Sequence, residues 1–171
     1  MLRLTLLLVA ISVAFAAAAQ DIAELEARNG FKDLKLGMHI DSVNGEKKLK
    51  KEFKERDEFP AYLYTVAGPD YESIGEISVK KVEIRTYKDL VYQIDVITDK
   101  DPRLMKALES VYGTADYDLK RETYFWKGET LILKFQSYSR NQLALIYSSF
   151  LVTRMMKEDK GKKVEDIADD F

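Results

Sequence analysis

The sequence predicts an α+β fold, a mostly antiparallel six-stranded sheet with two helices on one face, built as a single body or as two tandem α-β-β-β units. Three observations predict it. The spacing of apolar residues changes from a helical period to strict alternation at Pro60, returns to a helical period after Asp101, and alternates again from Tyr124. Short turn signals (Gly68-Pro69-Asp70, Lys88-Asp89, Lys127-Gly128) separate the alternating runs, so consecutive strands are antiparallel neighbours. The polar alternates Glu83, Arg85, Gln93, Asp95 and Lys134 leave one face of the sheet open to water, which places both helices on the other.

The first residues stand apart from this pattern. Arg3 supplies a basic start, Leu4 to Phe15 is almost unbroken apolar sequence, and four alanines precede Gln20. That is the pattern of a secretory signal peptide over residues 1–19, expected to be cleaved, because segments that stay in a membrane rarely end in four small residues. No cysteine follows, which excludes lipid attachment at an N-terminal thiol. The expected organisation is therefore a signal peptide (1–19), one α+β domain (20–152) and a charged helical tail (153–171), with no membrane span after cleavage and a periplasmic or secreted location.

Along the exported chain, Asp21 caps two helical turns that Asn29-Gly30 ends, and Leu34 and Leu36 form a short strand. After Gly37, His39 or Asp41 caps a helix running to about Asp57, with a thin stripe of Ile40, Val43, Leu49 and Phe53. Its outer face sets Lys47, Lys48, Lys50, Lys51 and Lys54 against Glu46, Glu52 and Glu55, and Asn44-Gly45 weakens its start. Tyr62, Tyr64 and Val66 begin the first long strand. Ile77 and Val79 lead into Val82, Ile84 and Thr86 on the opposite parity, which places a bulge at Lys80-Lys81. Lys88-Asp89 turns the chain into Leu90, Tyr92, Ile94 and Val96.

Asp101-Pro102 then starts a helix, a capping carboxylate followed by proline at the first helical position, and Gly113 ends it. Leu104, Ala107, Leu108, Val111 and Tyr112 form its apolar stripe. Tyr124 to Trp126, Leu131 to Phe135 and Leu143 to Tyr147 are three further strands, the last two joined at Ser139-Arg140-Asn141. Phe150 to Met156 reads equally as strand end or helix start. Gly161-Lys162-Lys163 breaks the chain before a terminal amphipathic helix carrying Val164, Ile167, Ala168 and Phe171, which docks on the domain or on a partner.

The chemistry available is narrow. With acids slightly in excess of bases, net charge -2, nothing favours a nucleic-acid backbone. Without cysteine there is no disulfide, thiolate or cysteine-ligated metal, and His39 is the only histidine, so neither a zinc site nor a Ser-His-Asp set is expected. No phosphate loop or EF-hand loop occurs, and no cofactor is expected. A carboxylate pair remains compositionally available, although a one-sided sheet offers little depth for raising a carboxyl pKa. The ten tyrosines and single tryptophan are the more suggestive content, since such side chains combine contact area with a polar tip. Tyr92, Tyr112 and Tyr147 fall on apolar parities and read as core, leaving Tyr62, Tyr64, Tyr124 and Trp126 as candidates for a partner-binding surface.

The phrase Phe31-x-x-Leu-x-Leu-Gly-Met-x-x-x-x-Val43 resembles the opening of many small exported bacterial domains, and Tyr112-Gly113, Trp126, Thr130 to Leu133 and Leu145 to Tyr147 are similar to their second half. Those domains share a layout similar to the β-lactamase inhibitor proteins and the SmpA/OmlA-type lipoproteins of outer-membrane assembly. The resemblance covers residues 29–152 and implies the α+β layout. Three departures stand beside it: no lipobox cysteine, no disulfides, and His39 where serine is usual. The expected function is an exported binding or interaction protein without catalysis, meeting another envelope or secreted protein. The alternatives are an envelope-assembly or inhibitor-like role and a small carboxylate-dependent hydrolase.

Overall fold

A computed structural model describes residues 20–52 and 61–168 of the chain, with side chains through residue 162. The expected signal peptide, Phe53 and the apolar stripe of the terminal segment lie outside the described residues or side chains. Among the described residues no helix is long and apolar enough to cross a membrane.

The fold is α+β, with three helices and a large antiparallel sheet. Helix α1 (Ile22–Arg28) is capped by the Asp21 carboxylate, which accepts from the Glu24 amide, and ends at Asn29 in the left-handed conformation. A two-stranded hairpin follows, β1 (Gly30–Phe31) and β2 (Leu34–Lys35). Then come β3 (Glu46–Glu52), β4 (Ala61–Ala67), β5 (Ser73–Ile74), β6 (Ile77–Tyr87) and β7 (Leu90–Asp99). Helix α2 (Pro102–Tyr112) leads into β8 (Asp116–Asp118), β9 (Thr123–Lys127), β10 (Leu131–Ser139) and β11 (Gln142–Ser149), and α3 (Phe150–Ala168) closes the described chain.

The large sheet has nine strands rather than six, in the order β3-β4-β6-β7-β11-β10-β9-β8, with short β5 paired to β6. Each half is thus a helix followed by a four-stranded meander. The last strands of the two meanders, β7 and β11, pair at the centre, with Leu145 opposite Val96 and Tyr147 opposite Ile94. Side chains alternate accordingly. Val82, Ile84, Ile94, Val96, Leu133, Leu145 and Tyr147 point to one face, where they share a core with Leu25 of α1 and Leu104, Leu108 and Tyr112 of α2. Each such side chain, taken fully out of water, contributes on the order of 1.5–3 kcal/mol.

Several expectations hold in detail. Asp101 caps α2, with its carboxylate accepting from the Arg103 amide, and Gly113 ends it at φ +75°. The register between β6 and β7 shifts between Val79 and Lys81, at the expected bulge. Lys88 and Asp89 both take positive φ, 49° and 62°, the conformation a two-residue hairpin turn requires.

The helix expected from Asp41 to about Asp57 does not form over its described residues, which end at Glu52. A single 3-10 turn, Ile40–Ser42, occupies its start, with His39 Nδ1 accepting from the Asp41 amide, and the charged run that follows is the edge strand β3. Gly45 decides the outcome: its φ is +84°, and a Cβ there would lie 2.5 Å from the Ala67 carbonyl oxygen. The backbone turns sharply at that point and pairs with β4. The lysines then serve an edge strand, where charge discourages pairing with another chain. The helix beside α2 on the covered face is instead α1, which meets α2 directly. The break expected at Gly161 is also absent, for α3 runs through it to Ala168, so the boundary drawn at residue 152 falls inside a helix. Asp159 fastens α3 to the β6–β7 turn, accepting from the Tyr87 hydroxyl (2.8 Å) and pairing with Lys88 (2.7 Å).

Candidate functional site

The four aromatic candidates do not meet. Tyr62 and Tyr64 sit half-buried on β4, their ring centroids 6.1 Å apart, beside one edge of the sheet. Tyr124 and Trp126 are on β9, beside the other edge, five strand spacings or about 24 Å away. Trp126 is fully buried, and its indole N–H donates to the Gly113 carbonyl at 2.8 Å. It pins the end of α2 to the sheet and carries no partner surface. Tyr124 is exposed and packs on Tyr117 of β8 at 4.6 Å between centroids.

Polar groups converge elsewhere. A cavity of about 330 Å³ lies between α2 and the β1–β2 hairpin, floored by Leu145 and Tyr147 of β11. One wall is the α2 stripe of Leu104, Ala107, Leu108 and Val111, and the other is Gly30 and Phe31. The small Ala107 and β-branched Val111 are what α2 turns toward the hairpin, so the two elements do not fill the space between them. Arg28, Lys32 and Lys35 stand around it.

The hairpin is held in place by several polar contacts. Gly30 begins it at φ +141°, and a Cβ there would lie 2.2 Å from the Leu34 carbonyl oxygen, so only glycine closes this turn. Asp33 at its tip accepts from the Tyr71 hydroxyl and from the Asn44 side-chain amide, both at 2.8 Å. Burial works against the Asp33 charge, but those two hydrogen bonds outweigh it and keep the carboxyl below its ordinary range, while burial and the same contact push the Tyr71 phenol up. Lys32 donates to the carbonyls of Asp70 and Ser73, and the Lys35 ammonium donates to the Arg28 carbonyl at 2.7 Å. On the far side of α1, Glu26 accepts from the Thr130 amide at 2.9 Å and from its hydroxyl, locking the helix to the β9–β10 turn. The start of α1 and the end of α2 are joined as well, the Asp21 amide donating to the Tyr112 carbonyl at 2.8 Å.

At one end of the cavity Arg28, Tyr112 and Tyr147 come together. Burial raises the pKa of both phenols, and the nearby Arg28 charge pulls the other way. Arg28 is itself held to Glu24 by one bond from Nε (2.6 Å), which raises its pKa; among the described residues no side chain bonds its terminal guanidinium N–H groups. The arrangement is an apolar trough with a hydrogen-bonding, positively charged end. Among the described residues that line it, the polar groups are Arg28, Lys32, Lys35, Tyr112 and Tyr147.

The opposite face of the sheet has the expected charged residues in a cross-strand ladder. Glu83 stands opposite Asp95, and Arg85 opposite Gln93. Lys81 pairs with Glu83 at 3.2 Å, Gln93 donates to Asp95 at 2.7 Å, and Arg85 lies 3.7 Å from Asp95. Contrary to the expectation of a shallow sheet, Asp95 is only 8% exposed, and burial raises its pKa against the pull of Gln93 and Arg85. Both acids are thus matched by neighbours within the ladder. Among the described residues no group of three or more His, Cys, Asp or Glu side chains is placed to hold a metal ion.

No family model, curated protein or solved structure matches the chain.

Sequence reasoning passed over Arg28, Lys32 and Lys35. Their spacing has no meaning along an extended chain, and only the Gly30 hairpin brings them to one opening. The one local signal is the set of three cations around Gly30, a glycine that in the sequence marks a helix stop.

Proposed function

We propose that this chain is an exported binding protein, periplasmic or secreted, that carries out no reaction on what it holds. The space between α2 and the β1–β2 hairpin receives a small amphipathic molecule. The observation that carries this reading is the cavity itself: apolar walls of about 330 Å³ with a few polar groups gathered at one end, the composition that small-molecule sites favour. The signal-like segment over residues 1–19 supports the location.

Thermal unfolding of the purified protein against a panel of small amphiphiles tests it. A ligand that binds only the folded state raises the midpoint in proportion to the logarithm of its concentration. Ala107→Trp, at an exposed position on the cavity wall, fills the space and should abolish that rise. If no compound moves the midpoint, or the filled variant responds equally, the cavity is not a site.

A second reading has its own observation. Tyr117, Leu119 and Tyr124 are exposed together on the β8–β9 hairpin, a small apolar patch suited to an envelope protein partner in an assembly or inhibitor-like role. Capture from envelope extract with the wild type and with Tyr117→Ser/Tyr124→Ser tests it; identical partners for both would end this reading.

A further inference from the structure

We propose that the molecule held in this cavity is a single-chain amphiphile with an anionic head, an alkanoate in its simplest form, with the head at Arg28 and Lys35 and the chain along α2 toward Leu104. This rests on the reading of the cavity as a binding site and adds the chemical class of its occupant.

The charge balance around the cavity points to an anion. Acids outnumber bases in the chain as a whole, yet three of the thirteen residues around the cavity are basic and none is acidic. Of the neighbouring acids, Glu24 is matched by its bond to Arg28, and Asp33, which feels the Lys35 charge, is bonded to Tyr71 and Asn44 at the hairpin tip and does not line the cavity. The ammonium of Lys35 reaches the backbone carbonyl of Arg28, the Arg28 charge acts on the Tyr112 hydroxyl, and all three residues line the trough. A carboxylate arriving there meets charged donors, and such bonds are about twice as strong as neutral ones. Lys32 is tethered by the Asp70 and Ser73 carbonyls toward the Ile74 side, so it contributes field rather than direct contact.

Size and shape select the chain. The apolar residues from Leu104 to Val111 run along about two turns of α2, an extended wall rather than a round pocket. A volume of about 330 Å³ is near the lower limit for ligand sites and suits one alkyl chain, not a two-chain lipid.

The single tryptophan gives a direct readout, because Trp126 packs edge-on against Tyr112 at 6.1 Å between ring centroids, and Tyr112 lines the cavity. The full chain is titrated with hexanoate, octanoate, decanoate and dodecanoate, and with decanol and decyltrimethylammonium. Each added methylene should tighten binding by about fourfold until the trough is full. Decanoate should bind about tenfold or more tighter than decanol, and the ammonium amphiphile weaker still. Arg28→Gln/Lys35→Gln should collapse the preference for decanoate over decanol to within about twofold, and added salt should narrow it in the wild type. If decanol matches decanoate in the wild type, the anionic head is wrong while the cavity remains a site. If the ammonium amphiphile binds best, the charge argument is inverted and fails. If no amphiphile binds and Ala107→Trp changes nothing, both readings fall.

Discussion

The two faces of the sheet treat their polar groups in different ways. On the open face, Lys81 pairs with Glu83 along β6 and Gln93 donates to Asp95 along β7, while Arg85 lies 3.7 Å from Asp95 with its Nε making no hydrogen bond. On the face covered by the helices, Arg28, Lys35, Tyr112 and Tyr147 gather at the end of a space that α2 and the hairpin leave unfilled. Polar residues that complete each other's contacts hold a structure together, whereas polar residues gathered around an empty apolar volume are positioned for something else. Burial alone does not separate the two cases, since Asp95 and Tyr147 are both nearly out of water.

The largest effect should come from the covered face. Leu133 is fully buried in the main core, and Leu133→Ala should cost about 2–5 kcal/mol in urea unfolding. Glu83→Gln in the ladder should cost less than about 1 kcal/mol, because its ion pair with Lys81 is partly solvated. A ladder variant as damaging as the core one would mean that the open face, too, is a folding determinant.

Next in size are the carboxylates that anchor α1 and the hairpin. Asp33→Ala removes the anchor of the hairpin tip and should cost about 1–3 kcal/mol, weakening any ligand bound beneath it. Glu26, like Asp33, is held ionised by hydrogen bonds that outweigh its burial. Stability from both is fully present above their unfolded pKa of about 4 and is lost as pH falls through their lowered folded values. Acid titration of unfolding free energy for wild type and Glu26→Gln measures this: the variant should lose less stability toward low pH.

The smallest effect has the opposite sign. Asp95 has a folded pKa raised by burial, so its contribution to stability declines as pH climbs from its unfolded value through its folded one. Asp95→Asn should change neutral stability by less than about 1 kcal/mol and remove that decline. If Glu26→Gln and Asp95→Asn shift the pH profile in the same direction, the contrast between the faces is wrong.

How much of this was legible depended on whether the information was local. Asp101-Pro102 and Gly113 define α2 because both caps are written in adjacent residues. The bulge at Lys80 shows as a change of parity, and Lys88-Asp89 as a break between alternating runs. The segment 46–52 defeated the same method because it has almost no apolar residues: Glu-Lys-Lys-Leu-Lys-Lys-Glu reads as a solvated helix face or as an edge strand with equal ease. Its fate is settled by Gly45 and by the waiting edge of β4, which are tertiary facts. Trp126 looked like a surface candidate because its composition suits an interface, yet its position opposite Leu133 seals it in the core. The cavity was illegible for a related reason. A space is defined by what α2 does not fill, and small residues such as Ala107 show a gap only once a neighbour is in place.

A crystal structure of the full chain with 10-bromodecanoate, read by the anomalous signal of bromine, tests the contrast between the faces most directly. The account predicts a bromine peak between α2 and the sheet near Leu104, with the carboxylate at hydrogen-bond distance from Arg28 or Lys35. A peak on the Glu83–Asp95 face, or an empty trough with ligand bound elsewhere, would contradict it.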